Sequence, residues 1–600
     1  MNPSKSSSLN LAKNLLLGAL FLLGLSRLPA QVNQHITASG TVNIDVADTT
    51  THAVNTNATW SVDDGVTLTI TTSATDVPTL LYGNAAGSYT LSMIAAGSGT
   101  IIFNGMGKSA PTAFGAGTGV TAAITLQNVT FQGGINSSNG NSATWGGGAV
   151  FGAINATVNM NLTNVSFTNN TMSRLNSSGG ITEFGGAIYV GTGPAGSSLV
   201  INGGSFVGNV ASGTSNTGNG SGGGGAIYWG ATGGGVGGLT SMTLNNVNFT
   251  NNISHITTNG AANTARSFGG AAGIIGNAAG TPVKLNNVTF NNNASEATVG
   301  SAAAATGGVS AMGGAIYLAT ADLAATNVSF TGNHTLTDEG LSTAAGSSHG
   351  GALYLGNGVT GSIVSSPFAG NSALSIVAGV AGGGGGGGAM SFQGNSTLTL
   401  TDATFTSNTA ANVGGAIEMA GTGILTLNAT TSATSSGNQA FGNGTAPVAA
   451  SGGFLYMSNA AGVANINASA GATYTIGSAA DINSDSIIGN NAGQKININS
   501  DGASTGAIVL HADNSANLAA INVLAGKLLL GNNAAKLAGP ITVSPGATIG
   551  GRGTITPAGG ILAIPTGATL QVGYGTTPGI LNIDGSLSLA DQATLAYGIF

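Results

Sequence analysis

The tetrapeptide Phe-x-x-Asn begins at Phe167, Phe206, Phe249, Phe290, Phe330, Phe368 and Phe405, at intervals of 39, 43, 41, 40, 38 and 37 residues. A period in this range means stacked supersecondary units, each too small to bury a core alone. The tetrapeptides end on Asn170, Asn209, Asn252, Asn293, Asn333, Asn371 and Asn408. Phe131 and Phe441 keep the rhythm without the Asn and read as worn or terminal copies. A second motif, Gly-Gly-Ala, alternates with the first. It stands at Gly147, at Gly185-Gly186-Ala187-Ile188, at Gly224-Gly225, at Gly269, at Gly313-Gly314, at Gly350-Gly351, at Gly387 and at Gly414-Gly415. A polar stretch of variable sequence separates the two motifs.

Upstream of each Phe, stretches such as "MNLTNVSF" and "VKLNNVTF" alternate apolar and polar residues, the period of a strand with one buried face. In "LTNVSF" the spacing from Leu162 to Val165 is odd, so alternation breaks at Asn164. A turn or bulge there returns both apolar sets to the inside, and Asn tolerates left-handed angles. The paired glycines supply a tight corner with close backbone approach. Each repeat then holds two strand segments and two corners, with about two coils per repeat. The glycine run 382–388 is expected as a flexible excursion.

The fold expected is all-β, a right-handed parallel β-helix built from repeats of roughly 40 residues. Phe side chains stack inside as an aromatic ladder. The Asn amides bond one another and the turn backbone, a reading weighed above direct ligand contact. At ~4.8 Å per coil the rod is about 100 Å long. The expected divisions are 1–30 (signal peptide), 31–120 (N-terminal coils or cap), 121–444 (the two-motif repeats), 445–515 (further coils) and 516–600.

Composition narrows the function classes. Only 5% of residues are charged, and beyond Lys5, Lys13 and Arg27 the chain has 8 basic against 18 acidic residues. No basic face is offered to nucleic acid. With 42% hydrophobic residues the chain is not compositionally disordered. The absence of cysteine excludes disulfides, thiolate metal sites and cysteine nucleophiles. Lys5 and Lys13 precede the apolar run 15–25, and "LPA" ends on Ala30, the expected cleavage site of an export signal. A retained N-terminal anchor helix is the alternative.

The alternation of Phe-x-x-Asn with Gly-Gly-Ala-[Ile/Leu/Val] over 121–444 resembles the repeats of the polymorphic outer-membrane proteins, an autotransporter family. The resemblance implies a surface-exposed β-helical passenger mediating adhesion, exported through a C-terminal β-barrel, with the tetrapeptides implicated in adhesion. Carried over residue by residue, that role falls on Phe167, Asn170, Gly185, Gly186, Ala187, Ile188 and their equivalents. The lack of cysteine, which several family members carry, departs from the pattern. Residues 521–560 and 579–600 resemble the passenger-associated transport repeat of autotransporters. No stretch after Leu570 is long enough for a translocating barrel, so a fragment or split gene is expected. The partners implied are a host or matrix surface, or further copies of the chain. The implied address is the cell surface, outer membrane or exterior of a Gram-negative-type bacterium.

Parallel β-helices also carry polysaccharide lyases and hydrolases, which need converging carboxylates. The close acidic pairs here are Asp63-Asp64, Asp338-Glu339 and Asp481 with Asp485. The first reads as a turn. Thr337 to Gly340 reads as a solvated loop with His334 and His349 near in sequence. No metal-binding or phosphate-binding motif occurs, so no cofactor or metal is expected. Tyr189, Tyr228, Tyr317 and Tyr354 fall either on an exposed adhesive stripe or at a half-buried edge. A secreted polysaccharide enzyme and an inert envelope rod stand as the alternatives to an adhesin.

Overall fold

The computed structural model describes residues 33–597, apart from 45–52, 55–56, 73–79, 83–86, 106–111, 115–118, 140–147, 153–156, 177–180, 183–184, 192–195, 231–238, 260–263, 276–280, 301–307, 339–345, 378–379, 382–383, 460 and 576–578. The segment 1–30 with its expected cleavage after Ala30, and Glu339, Gly340 and Phe600, lie outside the described residues. Among the described residues there is no α-helix, only a 3-10 turn at Ala449–Ser451.

One repeat shows how a coil is made. Its strands are β1 (Leu239–Asn245), β2 (Asn248–Thr250), β3 (Ile253–Thr258), β4 (Ala265–Phe268) and β5 (Ala272–Ile275). Each pairs in parallel with its counterpart in the preceding repeat. Each pairs likewise with its counterpart in the following repeat. A repeat is therefore one coil of five strand segments, where two coils and two segments were expected. The missed strands lie in the polar stretch. β3 alternates half-buried and buried residues, but its inward side is Ser254, Ile256 and Thr258, mostly hydroxyls that do not register as apolar.

Stacking joins the segments into long sheets, an arrangement consistent with a β-helix or solenoid. β1 and β2 belong to a first sheet of 25 strands, β3 to a second of 10, β4 to a third of 6 and β5 to a fourth of 13. Along the first sheet, sixteen strands from Asn33–Ile36 to Ile541–Val543 follow one another in parallel. At ~4.8 Å per step they span about 70 Å, less than the length expected from two coils per repeat. The stretch 516–600 continues the stack: Lys527–Gly539 pairs in parallel with Ala507–Leu510 and with Thr548–Pro557.

The main core is one continuous column of inward side chains from Ile36 to Leu570. A smaller core, including Met172, Ala211, Ile256, Ala297, Val309 and Ala311, lies between the second and third sheets. Gly384–Gly386 forms a strand of that third sheet, paired with Ser347–His349. The described part of the glycine run is thus a strand, Gly384–Gly386, followed by a corner at Gly387 and Gly388, not an excursion. A glycine strand fits there because parallel neighbours supply the hydrogen bonds that its own composition does not favour.

Two left-handed corners per coil flank the strand that carries the motif Phe. Asn164, Asn246, Asn287 and Asn327, at the break in alternation, have φ of 51–55°. The third residue of each Phe-x-x-Asn is the other corner: Asn169, Asn251, Asn292 and Ser407 have φ of 53–55°, and Gly208, Gly332 and Gly370 have φ of 62–64°. L-residues other than Asn and Gly pay about 1–2 kcal/mol in this region. Replacing Asn251 by Gly is expected to leave thermal unfolding nearly unchanged. Asn251→Val is expected to cost about 1–2 kcal/mol, read as an earlier transition in urea.

Candidate functional surface

The repeat residues face inward. Phe103, Phe131 and the seven motif phenylalanines form one stack, with successive ring centroids 4.6–5.2 Å apart and planes within 6–11°. Phe441 is not the next ring. Phe405 meets Ser435 in the following coil, donating its backbone N–H to the Ser435 hydroxyl at 3.1 Å. Spacing alone could not distinguish the two, because that coil is shorter.

Beside the rings runs a ladder of amides. Asn170 donates through Nδ2 to Asn209 Oδ1 at 3.0 Å, and the same bond joins Asn209 to Asn252, Asn252 to Asn293, Asn293 to Asn333, Asn333 to Asn371 and Asn371 to Asn408 at 2.9–3.0 Å. Each Nδ2 also donates to a Phe carbonyl of the preceding coil; Asn293, for example, reaches Phe249 at 3.1 Å. Each Oδ1 accepts a backbone N–H as well, as Asn293 Oδ1 does from Asn252. These side chains are fully buried yet fully bonded.

The ladder continues past the last motif to Asn438 and ends on Asp485, whose Oδ1 accepts from Asn438 Nδ2 at 2.7 Å. Every amide points its N–H end toward the C-terminus, so a carboxylate closes the positive end. Its second oxygen accepts from the Gly437 N–H at 2.6 Å. Burial pushes the Asp485 carboxyl up to about 6, against the lowering pull of these donors. Only the terminus tolerates Asp: inside the ladder a second oxygen would face acceptors. Asn293→Asp sets a carboxylate against Asn333 Oδ1 and the Phe249 carbonyl. We expect it to cost about 3–5 kcal/mol at pH 7, as an unpaired buried charge does. The cost should shrink at pH 4, where a protonated carboxyl can donate, as seen by urea denaturation at both pH values.

The glycine pairs are corners pressed against the next coil. The first has positive φ at Gly224, Gly269, Gly313, Gly350, Gly387 and Gly414; Gly185 does not. A Cβ on the second would strike the carbonyl of its successor: Gly186 against Gly225, Gly225 against Gly270, Gly314 against Gly351, Gly351 against Gly388, Gly415 against Gly453. Ala187 and Ile188 are buried beneath. The side chains of both motifs are therefore out of a ligand's reach in the folded chain.

The tyrosines do not form an exposed stripe. Tyr189 and Tyr228 are buried, stacked at 5.7 Å, and Tyr317 and Tyr354 are half-buried, stacked at 5.1 Å. Burial pushes the Tyr317 hydroxyl up to about 12. The same column continues through Ser391 and Glu418. Glu418 Oε2 accepts from the Ser391 hydroxyl at 2.8 Å and meets His349 Nδ1 at 2.8 Å. Gly386 makes this possible, since a Cβ there would occupy the Glu418 carboxylate's place. Ser, Glu and His so arranged do not make a nucleophile, because the serine is bonded to the acid and not to the imidazole. The group ties together three coils.

Burial by itself would lower the His349 imidazole; Glu418 outweighs it and holds the imidazole above its ordinary 6.5. Burial by itself would raise Glu418; His349 and Ser391 outweigh it and hold the carboxyl below 4.5. The raised histidine contributes stability below pH 6.5, lost as pH rises through its folded value. The depressed glutamate contributes above pH 4.5, lost as pH falls through its own. Relative to the double variant His349→Gln/Glu418→Gln, the wild type is expected to gain most in melting temperature between pH 4.5 and 6.5. Glu418→Ala alone should be worse than the double variant, since it strands the histidine.

The remaining acids lie apart. Asp63 and Asp64 sit at a turn, Asp63 beside His35 at 3.4 Å and Asp64 bonded to Ser98. Thr337 and Asp338 end a strand, His334–Asp338, and not a loop. His334 and His255 flank Glu296 on the outer face of the second sheet, at 3.4 and 3.0 Å. His334 and His349, near in sequence, thus serve different partners. Asp481 accepts from Ser484. Among the described residues no three His, Cys, Asp or Glu side chains are grouped to hold a metal. A cavity between Ile487, Ile496, Leu510 and Leu528 measures about 10 Å³, room for one water at most.

What faces solvent along the first sheet is a carpet of hydroxyls and amides. Its outer positions run Thr125, Asn161, Val200, Thr243, Lys284, Ala324, Ser362, Thr399 and Thr426 from coil to coil. Amides bond along it, Asn245 to Asn202 and Asn286 to Asn245 at 2.8 Å each. Comparison with protein-family profiles, with characterised proteins and with solved structures finds no match to this chain.

Proposed function

We propose that this chain is an exported passenger of the autotransporter kind, related in its repeats to the polymorphic outer-membrane proteins. In this reading it is a right-handed parallel β-helix displayed at the cell surface. It holds a host or matrix surface, or further copies of itself, without catalytic chemistry. The observation that supports this most is the division of labour in the repeat. Its two motifs are spent on the interior, and the outside is left as a long, nearly uncharged lattice of Thr, Ser and Asn with scattered carboxylates. Such a surface suits extended weak contact repeated from coil to coil; among the described residues the carboxylates lie apart, where glycoside chemistry uses convergent acids.

The test is binding by residues 31–600. Beads coated with the protein should adhere to cells, to matrix or to one another in a salt-tolerant manner, because few charges are available to screen. Release of reducing ends or unsaturated uronates from a polysaccharide panel would replace this reading with the lyase or hydrolase one. Inert beads and an inert panel together would leave only a structural rod.

A further inference from the structure

The first sheet, the longest, offers the most extended outward face. The strands of the fourth sheet are buried on both sides at Ile188–Val190 and Ile227–Gly230. The second carries the His255–Glu296–His334 cluster on its outer side. Across the nine coils from Val120–Gln127 to Ile424–Ala429, the outward strand positions of the first sheet include two ionisable residues, Lys284 and Asp322. They lie on adjacent coils, where Pro282 pairs with Asp322 and Lys284 with Ala324. Among the described residues neither makes an ion pair within the chain. Asp322 accepts a hydrogen bond from the Thr360 hydroxyl of the next coil, which fixes its carboxylate.

We infer that this face binds a second copy of the chain, face to face with the rods antiparallel. The two-fold axis runs along the strands, between the coils of Lys284 and Asp322. That axis carries the Lys284 coil of each copy onto the Asp322 coil of the other, so each lysine reaches the other copy's aspartate, offset by two residues along the strand. A shift by one coil would lose both pairs, so the charges set the register. The nine coils, at ~4.8 Å each and with a strand span of about 25 Å, present about 1,000 Å² per copy. A stable interface needs about 800 Å² per partner. A second copy also presents the same repeat spacing, so each coil can dock as its neighbour does. A neutral glycan is the poorer occupant, because the face has no outward aromatic ring on these strands to stack a sugar.

The inference rests on the self-association arm of the proposed function, and the test separates the two. Sedimentation velocity of residues 31–600 should show a monomer–dimer equilibrium. Lys284→Asp and Asp322→Lys, each folded as judged by thermal unfolding, should each weaken dimerisation at least tenfold. An equimolar mixture of the two variants should regain it as a heterodimer, since one copy then carries two acids and the other two lysines. If the wild type dimerises and neither single variant changes it, this face is wrong while self-association stands. If the wild type stays monomeric at about 200 µM, roughly two hundredfold above a 1 µM Kd, the inference and the self-association arm fall together, and adhesion to other surfaces remains. Weakening by both variants without recovery in the mixture would overturn the charge-set register.

Discussion

The amide ladder is the constraint from which the rest of the coil follows. A buried Asn has two donors and an acceptor that takes two hydrogen bonds, and all must be met. Here they are met only if the next coil places another Asn at the same height and the previous coil brings a Phe carbonyl alongside. The spacing of 2.8–3.0 Å from amide to amide fixes the axial rise and forbids a slip of one residue. The Phe three positions earlier then has no choice but to stack on its equivalent. The left-handed residue between them turns the chain out of the first sheet and into the second. Four residues thus set a corner, a core column and the coil register together.

The glycine corner does the same work on the other side by opposite means. No side chain bonds there; instead the second glycine of each pair lets one coil's backbone lie against the next more closely than any Cβ permits. The two motifs are complementary clamps, one polar and cohesive, one steric. Between them the chain varies in length from coil to coil, because strand pairing in the second, third and fourth sheets needs only backbone groups and a small inward residue. In a quasi-one-dimensional stack each coil answers only to its neighbours. A shorter coil, such as the one that puts Ser435 in place of Phe, is accommodated without disturbing the rest.

The clamps were legible in the sequence because they recur at one-letter resolution. The alternation before each Phe, the break at Asn164 and the inward ladder could all be read from residue type. The strands of the polar stretch could not. Ser254, Ser295 and Thr335 occupy inward positions, but hydroxyls carry no hydrophobic signal, and the two serines are bonded to Ser267 of the third sheet. Two further features carry a signal in residue type. The third motif position is only Asn, Gly or Ser in all seven copies, the signature of a left-handed corner. Asn438, preceded by Gly437, repeats that signature three residues before Phe441 and continues the ladder. The join of His349 to Glu418 across 69 residues had none, since it depends on Gly386 being a glycine in a coil between them.

The interior explains why the exterior is open to function. Because cohesion is carried by buried amides, rings and glycines, substitution outside the coil costs little, and outward residues answer to whatever the surface must meet. In this chain they have become largely neutral: Thr, Ser and Asn dominate, and across the nine coils from Val120–Gln127 to Ile424–Ala429 the charged exceptions at outward strand positions of the first sheet are one cation and one anion on adjacent coils. A uniform neutral lattice by itself has no register, since every coil resembles the next. A single pair of opposite charges is the least that can give it one. That is the physical reason for attaching weight to Lys284 and Asp322 on a face where so little else distinguishes one coil from another.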